Sequence, residues 1–260
     1  MLLTVGTRIA IPGAQQLSGG YMNYMKLYRI ILCLATASCL CATASADPSP
    51  ILTPVNFAKT YIPNGFDSND NVQFVGEGKF SDSCFRHSET KVRVDQAQKK
   101  IFVSPTAFKY PGMCLQVILP FDRVVDVGLV PAGEYSVIQS STGQSIGQLK
   151  VRGATTLEPD DHLYAPVSQA MVYSRESSHK VHLIGEFPLS CMRMKEVKLD
   201  VQPNVLVVQP IAELDLSRPC LAGSFSYESQ TEVGDMQPGR YLLHVRSMNG
   251  KATNTLFDIQ

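Results

Sequence analysis

Tryptophan is absent from this 260-residue chain, histidine occurs five times, and charged residues reach only 18%, with 23 bases balancing 23 acids. The even balance excludes the basic footprint expected of a nucleic-acid binder. The missing Trp weakens a sugar-stacking role, although ten Tyr keep aromatic surface in play. No run of twelve residues keeps helical periodicity, and the one pronounced apolar run, IILCLATASCLCA at 30–42, is too short to span a bilayer. No cofactor is expected.

What is present begins with that run. Lys26 and Arg29 precede it and Ala44-Ser45-Ala46 follow it, the basic, apolar, small-x-small order of a secretory signal peptide with cleavage after Ala46. Asp47-Pro48-Ser49-Pro50 stops any helix immediately afterwards. A lipoprotein alternative uses Cys39, but Thr36 stands where such sites carry an aliphatic residue. Residues 1–21 fit neither a signal nor a domain, so Met22 and Met25 are candidate true starts behind an over-extended N-terminus. Export takes away Arg8, Lys26 and Arg29, which leaves 23 − 3 = 20 bases against 23 acids. It also takes away Cys33, Cys39 and Cys41. The remainder, Cys84, Cys114, Cys191 and Cys220, is an even set that reads as disulfides in an exported chain.

The cysteines belong to an internal repeat. GEGKFSDSC ends at Cys84 and GEFPLSC ends at Cys191, 191 − 84 = 107 positions apart. Each is followed by alternating Val or Leu, then by Val103-Ser104-Pro105 or Val208-Gln209-Pro210. A second cysteine closes each set at nearly equal spacing, Cys114 (114 − 84 = 30) and Cys220 (220 − 191 = 29). Tyr135 and Tyr241 then lie at one common distance beyond it (135 − 114 = 241 − 220 = 21). Gly-containing turns follow at Ser141-Thr142-Gly143 and Met248-Asn249-Gly250. Five landmarks in register indicate a tandem duplication. Segments such as Lys91–Asp95, Ile101–Ser104, Leu115–Leu119 and Tyr135–Gln139 are short, rich in Val, Ile and Leu, and bounded by turn residues. The fold class expected is all-β: two tandem small antiparallel β-sandwich domains of about seven strands each, with one disulfide apiece. The expected organisation is a signal peptide at 1–46, an N-terminal extension at 47–67, repeat one at 68–152, a partly ordered linker at 153–178 and repeat two at 179–260.

Four cysteines allow three pairings. Matched spacing in each copy favours Cys84–Cys114 and Cys191–Cys220, stapling loops near strand ends. Closing a loop of that length contributes about 3.5 kcal/mol through unfolded-state entropy. The segments Pro131-Ala132-Gly133-Glu134-Tyr135 and Pro238-Gly239-Arg240-Tyr241, with Val137 and Leu243 two residues on, resemble the tyrosine corner and last hairpin of immunoglobulin-like and fibronectin-type domains. That resemblance implies a structural role for Tyr135 and Tyr241 and is silent on activity. The phrase YIPNGFDSNDNVQFVGEGKF is similar to uncharacterised exported proteobacterial proteins with tandem cystine-stapled repeats, and no activity comes with it.

Candidate sites are few. Gly143-Gln144-Ser145-Ile146-Gly147 matches G-x-S-x-G, but it falls in a hairpin rather than the strand-to-helix elbow that chemistry needs. Asp67, Asn69 and Asn71 have the 1, 3, 5 spacing of a calcium loop, yet Val72 and Gly78 stand where an EF-hand needs Gly and Glu. His179 and His182, with His162 nearby, form a thin metal constellation that a strand would split between two faces. Asp160-Asp161 read as solvated linker acids, and His87 and His244 carry no assigned role. The function expected is a non-catalytic binding or assembly module of a bacterial envelope, periplasmic or secreted. Its partner is an envelope protein or polymer, with no nucleic acid and no transmembrane segment in the mature chain. A groove between the copies is the expected binding surface. The rival reading is an inhibitor of a secreted hydrolase acting through a disulfide-held loop, Ala107–Met113 or Asp215–Pro219. An envelope enzyme with a site between the copies ranks behind both.

Overall fold

The computed structural model of the protein describes residues 49–175 and 178–260. The signal peptide, the cleavage at Ala46, the Cys39 alternative and the start sites lie outside the described residues. Copy one contains β1 (Ile51–Pro54), β2 (Phe57–Tyr61), β3 (Phe66–Asp67), β4 (Val72–Phe80), β5 (Phe85–Asp95), β6 (Lys100–Lys109), β7 (Leu119–Gly128), β8 (Gly133–Gln139) and β9 (Ser145–Arg152). Copy two contains β10 (Gln169–Arg175), β11 (Ser178–Leu189), β12 (Met192–Val201), β13 (Val205–Leu214), β14 (Ala222–Glu232), β15 (Gly239–Ser247) and β16 (Lys251–Ile259). Among the described residues all regular structure is strand, and no helix is long and apolar enough to cross a membrane.

Each copy is a sandwich of a three-stranded sheet on a larger one. In copy one β2-β4-β7 faces a six-stranded sheet, β1-β6-β8-β9-β3 with β5 also paired to β6; in copy two β10-β11-β14 faces the four-stranded β12-β13-β15-β16. Alternation builds the cores. In β6 Ile101, Val103 and Ala107 point inward and join Phe74, Phe121, Val137 and Leu149. In copy two Val181, Leu183, Leu206, Val208, Leu243 and Val245 do the same. Pairing is antiparallel except where the two hairpins of the larger sheet meet: β6 runs parallel to β8, and β13 to β15. Between them the chain crosses to the other sheet and back, and two crossings restore its direction. The short β3 also runs parallel to its neighbour, β9.

Both disulfides join the loop between the second and third core strands to the loop between the fourth and fifth, as Cys84–Cys114 and Cys191–Cys220. The tyrosine corners are built alike. Tyr135 donates its hydroxyl to the Pro131 carbonyl at 2.9 Å, and Tyr241 to the Gln237 carbonyl at 3.0 Å.

The recurring Gly and Phe have a packing cause. Gly78 sits opposite Phe121, where a Cβ would come within 2.4 Å of the ring; Gly185 sits opposite Tyr227, within 2.7 Å of its ring and 1.9 Å of the Pro166 carbonyl. Phe80 and Phe187 then stack on those rings, both at 4.4 Å between centroids. The equivalent of Gly185 is therefore Gly78, not the Gly76 that opens the phrase.

Two segments differ from the expected organisation. Residues within 47–67 and 153–178 supply strands: β1, β2 and β3 to copy one and β10 to copy two. Leu163, Tyr164 and Ala165 run along β13 as β1 and Val55 run along β6, with Ala165 N–H bonded to the Pro210 carbonyl where Val55 N–H meets the Pro105 carbonyl. Of the added strands, β2 ends on Tyr61 and β10 contains the apolar run Met171–Tyr173, whose apolar character marks ordered chain packed on the copy that follows. Conversely, Leu115–Ile118 is not strand. Leu115 is tied to the stapled turn, accepting from Ser83 N–H and donating to Ser83 Oγ, and β7 begins only at Leu119.

Candidate functional site

The two copies form one unit, and what joins them is the most built feature of the molecule. The outer face of β13-β15-β16 lies on the outer face of β2-β4. Val205, Val207 and Leu242, backed by Leu256, close on Tyr61 and Val75 in a separate apolar cluster. Fully burying side chains of this size contributes about 1.5–3 kcal/mol each. Around the cluster, Gln202 exchanges hydrogen bonds with the backbone of Asn64. Asn204 donates to the Thr60 carbonyl, and Asn254 donates to Gln73. Arg240 pairs with Glu77 at 3.2 Å.

At one end of this seam charge is buried. Arg246 meets Asp70 at 2.8 Å with both side chains almost wholly covered, their exposures being 6% and 5%. Arg246 also donates to the Tyr164 hydroxyl and the Gly65 carbonyl. Asp70 closes its own turn by accepting the Asp67 N–H at 2.6 Å. Asp160 accepts the Gly250 N–H, and His244 shares a hydrogen bond with Asn254 through Nδ1 while its Nε2 has no protein partner. Burial lifts the Asp70 carboxyl above the usual carboxylate range, against the pull of Arg246. Asp160 is pushed up to about 6, mainly by burial, and the His244 imidazole is pushed down to about 4 by the same cause.

Two carboxylates, an arginine and a histidine are a set from which acid–base chemistry could be made, but there is no room for a substrate. The cavity that Phe66, Asp70, Asp160, His244 and Arg246 line measures about 10 Å³, the space of one water. The cluster is a polar lock between the copies. The groove expected there is accordingly filled at its centre; open depressions of about 440 and 500 Å³ lie beside residues 156–163, and another of about 520 Å³ lies away from the seam between Lys91–Arg93, Phe102 and Ser140 of copy one.

The other predicted residues fall apart from one another. Asp67 is held by Arg152 at 3.0 Å, so the first carboxylate of the calcium pattern is engaged within the chain. Asn69 turns its amide nitrogen toward the Glu158 carbonyl and Asp161, its Oδ1 having no protein partner, and Asn71 lies in the wall of the small cavity beside Gly250. Asp161 stays near solvent but is not free: Thr155 and Thr156 donate to it from backbone and side chain, holding its carboxyl well below the usual range. His179 bonds Ser174, and His182 bonds Glu228 at 2.6 Å on the opposite face of β11. Ser145 lies in β9 after the hairpin turn, paired with Ile138, and its hydroxyl donates to the Gly147 carbonyl. The closest gathering of metal-ligand atoms among the described residues is Asp82 with Cys84 and Cys114, whose sulfurs are consumed by the disulfide.

Beyond the lock, the feature that departs from ordinary surface is the stapled end of copy one. Tyr110, Met113, Leu115, Val117 and Ile118 all project into solvent from the loop around Cys114, Leu115 at 71% and Ile118 at 69% exposure. Ile51 and Leu52 of β1, opposite Lys109 and Phe108, extend the patch. The equivalent end of copy two exposes Leu214, Leu216 and Leu221. Contiguous exposed apolar surface of this kind marks an interaction site.

A family model described as the ORF11 beta-sandwich domain matches residues 76–149, the body of copy one from β4 into β9. No curated protein and no solved structure matches the chain. The similarity is to a β-sandwich module and covers the stapled loop.

Proposed function

We propose that the protein is an exported, non-catalytic binding module of a bacterial envelope, engaging its partner through the stapled apolar end of copy one. The carrying observation is the loop 110–118: an exposed apolar surface tied by Cys84–Cys114 to a rigid sandwich. A disulfide placed there supports an oxidising compartment. The buried acid–base cluster supports a non-catalytic role, because its groups are spent on one another. A second reading, inhibition of a secreted hydrolase, uses the same loop: a segment held convex by a disulfide with Met113 at its tip is a shape a hydrolase cleft can take.

The test is fractionation of source cells carrying the wild-type chain or the variant Met113→Asp, Leu115→Asp, Ile118→Asp. The wild type is expected in the envelope fraction, with an N-terminus near Asp47. The variant, with both disulfides intact, is expected to be released. Unprocessed protein in the cytoplasm, or a variant retained as well as the wild type, refutes the proposal.

A further inference from the structure

The surface of the stapled end has a composition that narrows its partner. Residues 108–118, FKYPGMCLQVI, contain no acid, and neither do residues 49–55, SPILTPV. The one acid of the adjoining turn, Asp82, is buried and accepts the Cys84 N–H and the Ser81 hydroxyl. The charges left at the rim are basic: Arg86, which leans on the Ser83 and Phe85 carbonyls, and Lys109, which lies over the Phe85 ring at 5.2 Å. An apolar tip with a cationic collar and no acid is the arrangement that enters the headgroup and upper acyl region of a bilayer.

The route of the chain agrees. It enters the fold at β1, whose Ile51 and Leu52 are part of the same patch. Only residues 43–50 separate β1 from the apolar run at 30–42, a reach of at most roughly 30 Å. A segment with a hydrophobic signal pattern therefore leads straight to this end, and not to the turn at 96–99 at the far end of the β5–β6 hairpin.

We infer that the stapled loop of copy one docks on a lipid surface, seating Met113, Leu115 and Ile118 below the headgroups with Arg86 and Lys109 at the level of anionic phosphates. This rests on the binding reading above and names its partner as lipid. A second copy or a protein cleft is the competing occupant. Copy two exposes fewer apolar residues at its equivalent end, so copy one leads the contact.

The absence of Trp makes the test direct. Leu115→Trp in the full chain places the sole indole in the loop; Gln96→Trp places it in the far turn. Each is mixed with protein-free vesicles of phosphatidylcholine containing phosphatidylglycerol, with and without brominated acyl chains. The Trp at 115 is expected to shift to the blue and lose half or more of its emission to bromine, while the Trp at 96 does neither. Adding Met113→Asp and Ile118→Asp to the loop reporter should weaken that response about tenfold. A loop reporter on sedimenting vesicles that remains unquenched overturns the lipid assignment. If envelope retention still depends on the loop in cells, the binding reading stands with a protein partner; if retention fails as well, both readings fall.

Discussion

Replacing Arg246 with Met tests whether the seam between the copies is locked by charge. The substitution keeps much of the side-chain volume and removes the partner of Asp70, together with the donors to Tyr164 and Gly65. Asp70 is then a carboxylate buried without a counter-charge. Removing one member of a buried pair costs about 3–5 kcal/mol, against roughly 0–1 for an exposed one. The near-complete burial of both side chains places this pair in the first class. At about 1.4 kcal/mol per tenfold, the low end is more than a hundredfold in the equilibrium. Each copy keeps its own core, so the loss should appear as an early unfolding step in urea, separating the copies before either melts. Burial already raises the Asp70 pKa and Arg246 counters it, so the variant raises it further. A carboxyl with a raised folded-state pKa loses stability as pH rises, so the deficit relative to wild type should be full at pH 7. It should shrink as pH falls toward the ordinary carboxylate value. Asp70→Asn combined with Arg246→Met should cost less than the two single changes added, by about 1.5 kcal/mol or more, because no lone charge is left. Urea titrations at pH 7 and 4.5, followed by small-angle scattering for separation of the copies and by circular dichroism for their melting, measure this. A deficit below about 1 kcal/mol at pH 7, or strict additivity in the double variant, refutes the lock.

Three further outcomes follow from the packing. Gly185→Ala drives a methyl into the Pro166 carbonyl, which cannot yield as a side chain can, and should destabilise copy two by about 3 kcal/mol or more in denaturant melts. Removing Cys84 and Cys114 together as Ala should cost about 3.5 kcal/mol. It should also make the 110–118 loop the first site of proteolysis, whereas equal cleavage rates with and without the bond would contradict the staple. Limited proteolysis of the intact chain should cut near Glu158–His162, beside the exposed Leu157, and spare Met171–Tyr173 within β10; mass spectrometry of early fragments decides it.

Much of the architecture was legible because repetition amplifies weak signals. One Val-x-Val or one Gly-x-Tyr is ambiguous, but the same landmarks at matched spacing around Cys84–Cys114 and Cys191–Cys220 restrict both copies to one pattern. The tyrosine corners were visible for the same reason. The lock was not, since Asp70, Tyr164, Asp160, His244 and Arg246 are scattered over 177 positions (246 − 70 + 1) and match no spacing rule. One signal did mark the seam. Copy two reads Val205-Leu206-Val207-Val208 and Leu242-Leu243 where copy one reads Lys100-Ile101-Phe102-Val103 and Ser136-Val137. A strand apolar on both faces is buried on both.

Local periodicity, turn residues and cysteine spacing act within a few tens of residues, so the sequence alone marked the duplication, the favoured disulfide partners and most of the core strands, but not the short β1 and β3 or the true start of β7. The seam depends on which outer face of each sandwich meets the other, a choice made by apolar area and charge that come together only after both copies have folded. That choice turned Asp160, Asp161 and His244, each ordinary in the linear chain, into parts of a junction. It also left the apolar loop at 110–118 uncovered, because neither copy's packing reaches the stapled end.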